Sequence, residues 1–391
     1  MLNFVYDIPT KVFFGKGQIS HLAEQIKRFG NKILLTYGSG SIKERWLYDE
    51  VITILKAENI QYRELANIEP NPDITSVREG IKICKENNIQ LILAVGGGST
   101  IDASKCIALG YFYDGDPRDI FSKETNITQA LPLWTILTLA ATWSEMNAWM
   151  VISNRELQEK LSYVSSILCP QFAILDPTYT FSVPLKQTIA GIVDIMSHIF
   201  EQYFSPTEAT EVQDSIAEWL LQTCIYYGHH VIADLQNYDA RANIMRAGSL
   251  ALNWLTGLGK EQDRATHSIE HALSAVYDIT HGDWLAIVFP HRMEYVLWDG
   301  TDTKILDKFV DLATHVRNIP FLGEPLAIAK AGIHALQNFR SQIGAPAKLS
   351  DVDIITPDLD LLADKIIAHG PIGWFKQLEK KDVISILQAC E

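Results

Sequence analysis

The chain has 391 residues, 20% of them charged and 47% hydrophobic, which bounds it to a folded globule of one large domain or two, with a dry core. Its formal net charge of -14 at pH 7 excludes a nucleic-acid surface, which needs a basic face to neutralise phosphates. Five scattered cysteines (Cys84, Cys106, Cys169, Cys224, Cys390) form no C-x-x-C, which fits a reducing cytoplasm and excludes a cysteine metal site.

At the start, MLNFVYDIPTKVFFGKG has no basic stretch followed by an apolar core, so no signal peptide is expected there. No apolar run reaches the length of a membrane span, and a cytoplasmic location is expected. The alternation in FVYDIPTKVFFGKG suits an edge strand, one able to pair with a second subunit.

Two later segments share one grammar. NKILLTYGSGSIKE has an apolar run from Ile33 to Thr36, then glycines, then Ser41 opening a polar helical stretch. IQLILAVGGGSTIDASKCIAL repeats it: apolar Leu91 to Val95, three glycines, then Ser99 as the expected N-cap with Asp102 in the first turn. Between them VREGIKICKENNI carries apolar residues at helical spacing. Strand, helix, strand, helix predicts a parallel sheet with crossover helices. LPLWTILTLAATWSE adds a buried strand, and FAILDPTYTFSVP a last one before a Pro-punctuated link.

Beyond about Pro184 the pattern changes. TIAGIVDIMSHIFEQYF, VQDSIAEWLLQTCIYYG, ARANIMRAGSLALNWLTGL and RATHSIEHALSAVYD all show helical periodicity. The predicted architecture is an α/β dinucleotide-binding domain over residues 1–180, with a Rossmann-like parallel sheet, and an all-α domain over 181–391.

A strand running through glycines into a helix lets backbone N–H groups approach an anion, and the helix N-terminus adds a favourable dipole. GGGST, Gly96 to Thr100, is such a candidate, although a glycine triplet alone serves equally as a tight turn. The standard G-x-G-x-x-G fingerprint is absent, because Lys43 and Ile101 stand at the last glycine's place.

The helical half holds a crowd of histidines. Asp194 and His198 are four apart on one predicted helix face, as are His267 and His271; His281 follows, before Gly282. One aspartate with three histidines is a nitrogen and oxygen shell suited to zinc or ferrous iron. Spacing leaves open which three histidines bind, and the spare one could carry a proton or simply pack. His21, His229, His230, His291, His315, His334 and His369 lack such neighbours and are expected to be solvated or structural.

Taken together, PTKVFFGKG, YGSGSIK, EPNP, LAVGGGSTIDASK, LTLAATWSE, ILDPTYT, VDIMSHIFEQY, YDARANIM and HSIEHALSAVYDITHGDWLAIV resemble the iron-containing alcohol dehydrogenases. That family shares its fold with glycerol dehydrogenase and dehydroquinate synthase. The branch it is most similar to is that of butanol dehydrogenases and NADPH-dependent aldehyde reductases. The resemblance implies a metal held by Asp194, His198, His267 and His281, with His271 nearby as a non-ligand that steers substrate or relays a proton. It implies a nucleotide whose pyrophosphate meets Gly96, Gly97, Gly98 and Ser99, with Asp102 beside them. Thr138, Thr142, Asn147 and Lys160 would face the nicotinamide half; Asn71 and Gly38, Ser39, Gly40 and Ser41 would surround the adenosine half.

NAD-using relatives often carry an aspartate at the end of the first glycine strand, where it repels a 2′-phosphate. The segment here is TYGSGS, so NADP(H) is expected in preference to NAD(H), with one divalent metal, Fe2+ or Zn2+. The implied reaction is reversible hydride transfer between NAD(P)H and a short aldehyde or primary alcohol, by a protein expected to be a homodimer. A glycerol- or diol-type dehydrogenase, or a weakened nucleotide- and metal-binding protein, is the alternative. The last rests on ATWSE, where Trp143 replaces a glycine usual in the family and would be strained if that position needs a positive φ. Trp149 and Arg264 are further departures.

Overall fold

A computed structural model describes residues 1–391 apart from Ser39, Gly40, Ser41, Glu44, Arg45, Glu124, Thr142, Asp278, Asp299, Thr356 and His369. The described chain forms two compact units, one of Asp7–Val183 and one of Met1–Tyr6 with Pro184–Glu391.

The first unit holds β1 (Lys11–Phe14), α1 (Leu22–Lys27), β2 (Lys32–Tyr37), α2 (Trp46–Ala57), β3 (Gln61–Leu65), α3 (Ile74–Asn87), β4 (Leu91–Gly96), α4 (Gly98–Gly110), α5 (Asp119–Ser122), β5 (Leu133–Leu137), β6 (Trp149–Asn154), β7 (Glu159–Val164) and β8 (Phe172–Leu175). Six strands pair in parallel in the order β1-β8-β5-β4-β2-β3. The central strands β4 and β5 are buried along their whole length, which is why they read as unbroken apolar runs. β3 is an edge strand with alternating exposure, and its polar sequence QYREL gives no such signal. β6 and β7 form a separate antiparallel hairpin.

From β2 the chain moves outward to β3, then crosses to the other side of β2 for β4. The carboxyl ends of β2 and β4 therefore flank a topological switch point, where open α/β sheets bind ligands. Gly38, Gly96 and Thr138 all lie at this edge, and Thr138 N donates to Gly96 O at 3.1 Å.

The second unit is helical: α6 (Leu185–Tyr203), α7 (Glu211–Ala233), α8 (Tyr238–Ala251), α9 (Ala265–Val276), α10 (His281–Leu297), α11 (Thr303–Asp311), α12 (Pro325–Gln342), α13 (Leu359–Ile366) and α14 (Lys380–Ala389). Met1–Tyr6 packs here, with Leu2 N donating to Gly259 O at 2.8 Å and the terminal ammonium to Glu208 O at 2.9 Å. Ala265, Ile269 and Leu273 of α9, Trp284 and Ile287 of α10, and Ile386 of α14 share one core that fixes the helices bearing the histidines. None of the described helices is long and apolar enough to cross a membrane.

Leu93 lies in the middle of β4 with no exposure. Leu93→Ala should lower stability by about 3 kcal/mol through lost burial and a cavity that β4, flanked on both sides, cannot collapse. A urea titration of the sheet unit's transition checks this; a midpoint unchanged from wild type would contradict it.

Candidate metal centre and nucleotide loop

Pro184 precedes the first residue of α6 and sets its start. The helix then places Asp194, His198 and Glu201 on one face, a turn apart. α9 presents His267, Glu270, His271 and Ser274, and His281 is the first residue of α10. The three helices meet so that His198, His281 and His267 aim their Nε2 atoms at Asp194 Oδ1, at 3.2, 3.4 and 4.0 Å. One ligand atom from each of the four residues lies within 4.8 Å of every other. His271 stands beside this group, its ring centroid 6.3 Å from that of His267 and 6.2 Å from that of His281.

One contact between α6 and α10 sets the spacing. A Cβ on Gly282 would sit 2.2 Å from Ala190 O, so only glycine lets the first turn of α10 come this close to α6. That approach brings His281 to the carboxylate one turn along α6.

The donor set fits a divalent cation. His267 Nδ1 lies 2.6 Å from Glu201 Oε2, and its Nε2 is buried without a hydrogen-bond partner. With Nδ1 donating to Glu201, the inward nitrogen is a bare lone pair facing a carboxylate, an arrangement that a cation reconciles. Burial alone would raise the Asp194 pKa, but the His281 and His198 imidazoles outweigh it and hold the carboxyl well below its usual range. Burial lowers the His198 pKa, which favours the neutral ring that a metal requires. Burial would also raise Glu201; the His267 imidazole overcomes it, so that carboxyl sits down at about 2.

In the first unit, α4 starts two residues earlier than expected. Gly97 is the N-cap, without a side-chain cap, and Gly98 the first helical residue; Ser99 lies inside, and Asp102 is past the first turn. The reason is steric: a Cβ on Gly96 would sit 2.5 Å from Thr100 Oγ1, and one on Gly97 3.3 Å from Leu139 Cβ. The glycines let the chain turn directly into the helix, leaving the first backbone N–H groups of α4 without helical acceptors.

Asp102 is half-buried and tied to the segment that follows β5. Its oxygens accept from Ser144 Oγ at 2.5 Å and Val151 N at 2.9 Å. Lys105, fully buried one turn on, donates to Asn147 O and Oδ1 at 2.9 Å each and to Trp149 O at 2.7 Å, and burial brings its pKa down to about 8. Both residues pin segment 144–151 to α4. Asn147 is itself buried, with its side-chain oxygen also accepting from Trp149 N. The structure therefore gives Asp102 and Asn147 anchoring partners within the protein. Lys160 lies on β7 opposite Ser153, and its charge acts on Asp102. Asn71 takes a left-handed conformation, φ 52°, ahead of Pro72, whose carbonyl accepts from Ser153 N. Gly38 closes β2, and its carbonyl accepts from Asn67 N at 3.1 Å. Ser39, Gly40, Ser41 and Thr142 lie outside the described residues, as does His369.

Several of the other described histidines have ordinary contacts. His21 stacks on Phe13, His230 lies against Tyr226, and His315 pairs with Glu218. Trp143 has φ 46° and ψ 33°, so the position does require the conformation that a glycine adopts freely. Its indole is only 1% exposed and packs in the interior.

Two models of one family match the chain in tandem: iron-containing alcohol dehydrogenase over residues 9–177, and the C-terminal domain of the same family over 188–390. The chain belongs to the iron-containing alcohol dehydrogenase family. Within it, the chain sits on the butanol dehydrogenase branch. It is 48% identical to NADH-dependent butanol dehydrogenase A of Clostridium acetobutylicum over 390 residues, 99% of each chain. It is 38% identical to the NADPH-dependent aldehyde reductase YqhD of Escherichia coli, covering 95% of this chain and 94% of that one. The crystal structure of NADH-dependent butanol dehydrogenase A from Thermotoga maritima superposes with a TM-score of 0.94 at 37% identity, covering 100% of this chain and 99% of that one.

Glu201, Glu270, Lys105 and Gly282 were not singled out by sequence. Glu201 and Glu270 each follow a histidine by three residues, a spacing that puts them on the histidine face, but the ring each one holds belongs to a different turn or helix.

Gly282→Ala forces the start of α10 away from α6. We expect a loss of about 1–3 kcal/mol, as for overpacking elsewhere, with a weaker metal site; thermal melting and a chelator competition check it, and unchanged values in both would contradict it. Trp143→Gly relieves about 1–2 kcal/mol of left-handed strain but vacates a buried indole worth about 3–5 kcal/mol, so the cavity wins. The variant should melt at a lower temperature; a higher one would mean that strain dominates.

Proposed function

We propose that this chain catalyses reversible, metal-dependent hydride transfer between NAD(P)H and short-chain aldehydes or primary alcohols, butanol-like in size. The observation that carries the reading is the convergence of Asp194, His198, His267 and His281, with the buried His267 Nε2 lacking any protein donor. Bound there, Fe2+ or Zn2+ would serve as a Lewis acid toward a substrate oxygen, and the nicotinamide would carry the hydride. The chain's own residues hold the charge and the geometry: Asp194 would supply the anionic ligand, and the three imidazoles would complete a directional set. The bare N–H groups at the start of α4 suit the pyrophosphate of the nucleotide, through Gly97, Gly98 and Ser99, with Gly96 permitting the turn. His271 is our candidate for substrate steering or proton relay, since it lies beside the ligands with its Nε2 3.8 Å from Glu270 Oε2.

For the cofactor, we propose NADP(H) in preference to NAD(H). No carboxylate stands at Gly38. Glu64, on the adjoining strand, accepts from Tyr37 and Tyr48 and pairs with Lys43 at 3.3 Å. The Lys43 ammonium, 5.0 Å from both tyrosine rings, supplies positive charge near the end of β2. The named relatives include both NADH- and NADPH-dependent proteins, so rates decide the matter. A homodimer is proposed on the outer edge of β1, which pairs only with β8 among the described residues.

Butanal reduction by the metal-free protein should be negligible and should return on adding Fe2+ or Zn2+. Asp194→Asn should cost about 100-fold or more in kcat/KM at equal metal, the loss of a few kcal/mol of charge stabilisation. NADPH consumption without metal dependence would defeat the proposal. In the same assay kcat/KM should be higher with NADPH than with NADH, and Lys43→Gln should lower the NADPH value about tenfold with little change for NADH. A wild-type preference for NADH would overturn the cofactor assignment.

A further inference from the structure

Three buried imidazoles around one buried carboxylate can be arranged in two ways. With the inner nitrogens protonated, each ring donates to Asp194, and the cluster is a hydrogen-bonded knot that needs no ion. With the outer nitrogens protonated, bare lone pairs converge, and only a cation reconciles them. What stands behind the rings decides between the two.

Behind His267 stands Glu201. Its Oε2 lies 2.6 Å from His267 Nδ1, and its Oε1 accepts from His267 N at 3.0 Å, so one carboxylate grips both ring and backbone. Glu201 is itself buried. Behind His281 stands Glu270, with no exposure at all; its Oε1 lies 2.7 Å from His281 Nδ1 and accepts from Ser274 Oγ. The other oxygen of Glu270 is 3.8 Å from His271 Nε2, so a single carboxylate touches a ligand ring and the non-ligand ring beside it.

We propose that Glu201 and Glu270 are positioning residues that make this cluster a cation site. Each draws the ring proton of one ligand histidine outward, to His267 Nδ1 and His281 Nδ1, and so presents an unprotonated Nε2 to the centre. Each also raises the basicity of its ring toward the metal. Together with Asp194 they put three buried carboxylates around the rings, negative charge that a divalent cation offsets. Glu270 additionally fixes His271 relative to His281. The inference rests on reading the four-residue cluster as the metal site, and the experiment separates the two.

Zn2+ affinity is measured by chelator competition on the metal-stripped full chain, for wild type, His267→Ala, Glu201→Gln and Glu270→Gln. The melting temperature of each metal-free protein is recorded alongside. We expect wild type to bind one equivalent and His267→Ala to lose it. Each Gln variant should bind about 10- to 100-fold more weakly. Glu201→Asp and Glu270→Asp, one methylene short of the rings, form a second pair expected to lose affinity in the same range. Gln variants that bind Zn2+ within about twofold of wild type, whether or not they melt lower, would overturn the inference while leaving the metal site intact. A wild-type protein that takes up no Zn2+ would instead remove the metal reading itself.

Discussion

The structure depends on one local constraint: the buried ring of His267 and the buried carboxylate of Asp194 face each other, and His267 Nε2 has no hydrogen-bond partner. His267 Nε2 and Asp194 Oδ1 face each other at 4.0 Å, and the nearest group able to claim the His267 ring proton, Glu201, lies on the outer side. Like-signed electron density held this close in a low-dielectric interior is unfavourable unless a cation joins it. The helices bear that cost because their packing fixes them elsewhere. The apolar core shared by α9, α10 and α14 holds two of the helices in register. The close approach of Gly282 to Ala190 leaves the third no slack.

The α/β unit solves a different problem with similar means. Its glycines give the backbone a turn that a side chain would block, and a half-buried aspartate and a buried lysine of α4 then lock the segment that follows β5. Asp102 and Lys105 have opposite charges one turn apart and accept from or donate to groups in residues 144–151. A buried ammonium satisfied by three carbonyl-type oxygens costs little compared with one left unpaired. The helix carrying the candidate phosphate turn thereby also orders the neighbouring loop, directly after Trp143 in its left-handed conformation.

Much of this was legible in the sequence because it follows from period and composition. Buried strands β2, β4, β5 and β8 announced themselves as apolar runs, and the i, i+4 pairs Asp194/His198 and His267/His271 declared a shared helix face. What escaped has physical reasons. β3 is a half-exposed edge with a polar sequence, and the β6–β7 hairpin has no turn of the Asn-Gly kind between its strands. Ser99 looked like the cap because serine commonly caps helices, but a glycine with a bare backbone took that place. Spacing cannot tell His271 from the ligands, since i+4 serves a ligand and a bystander alike; the difference lies in where α10 brings His281. Nor does it identify Glu201 and Glu270 as partners of His267 and His281, because those contacts reach beyond the turn on which each glutamate sits. Asp102 and Asn147, expected beside a nucleotide, are also tied into the protein's own scaffold, which spacing does not reveal.

Anomalous diffraction from a crystal soaked in Zn2+, with data collected on both sides of the zinc absorption edge, tests the central claim most directly. The account predicts one strong peak about 2.0–2.2 Å from Asp194 Oδ1 and from the Nε2 atoms of His198, His267 and His281, with His271 outside that shell. A peak elsewhere, or four side chains that stay together around no ion at all, would contradict it.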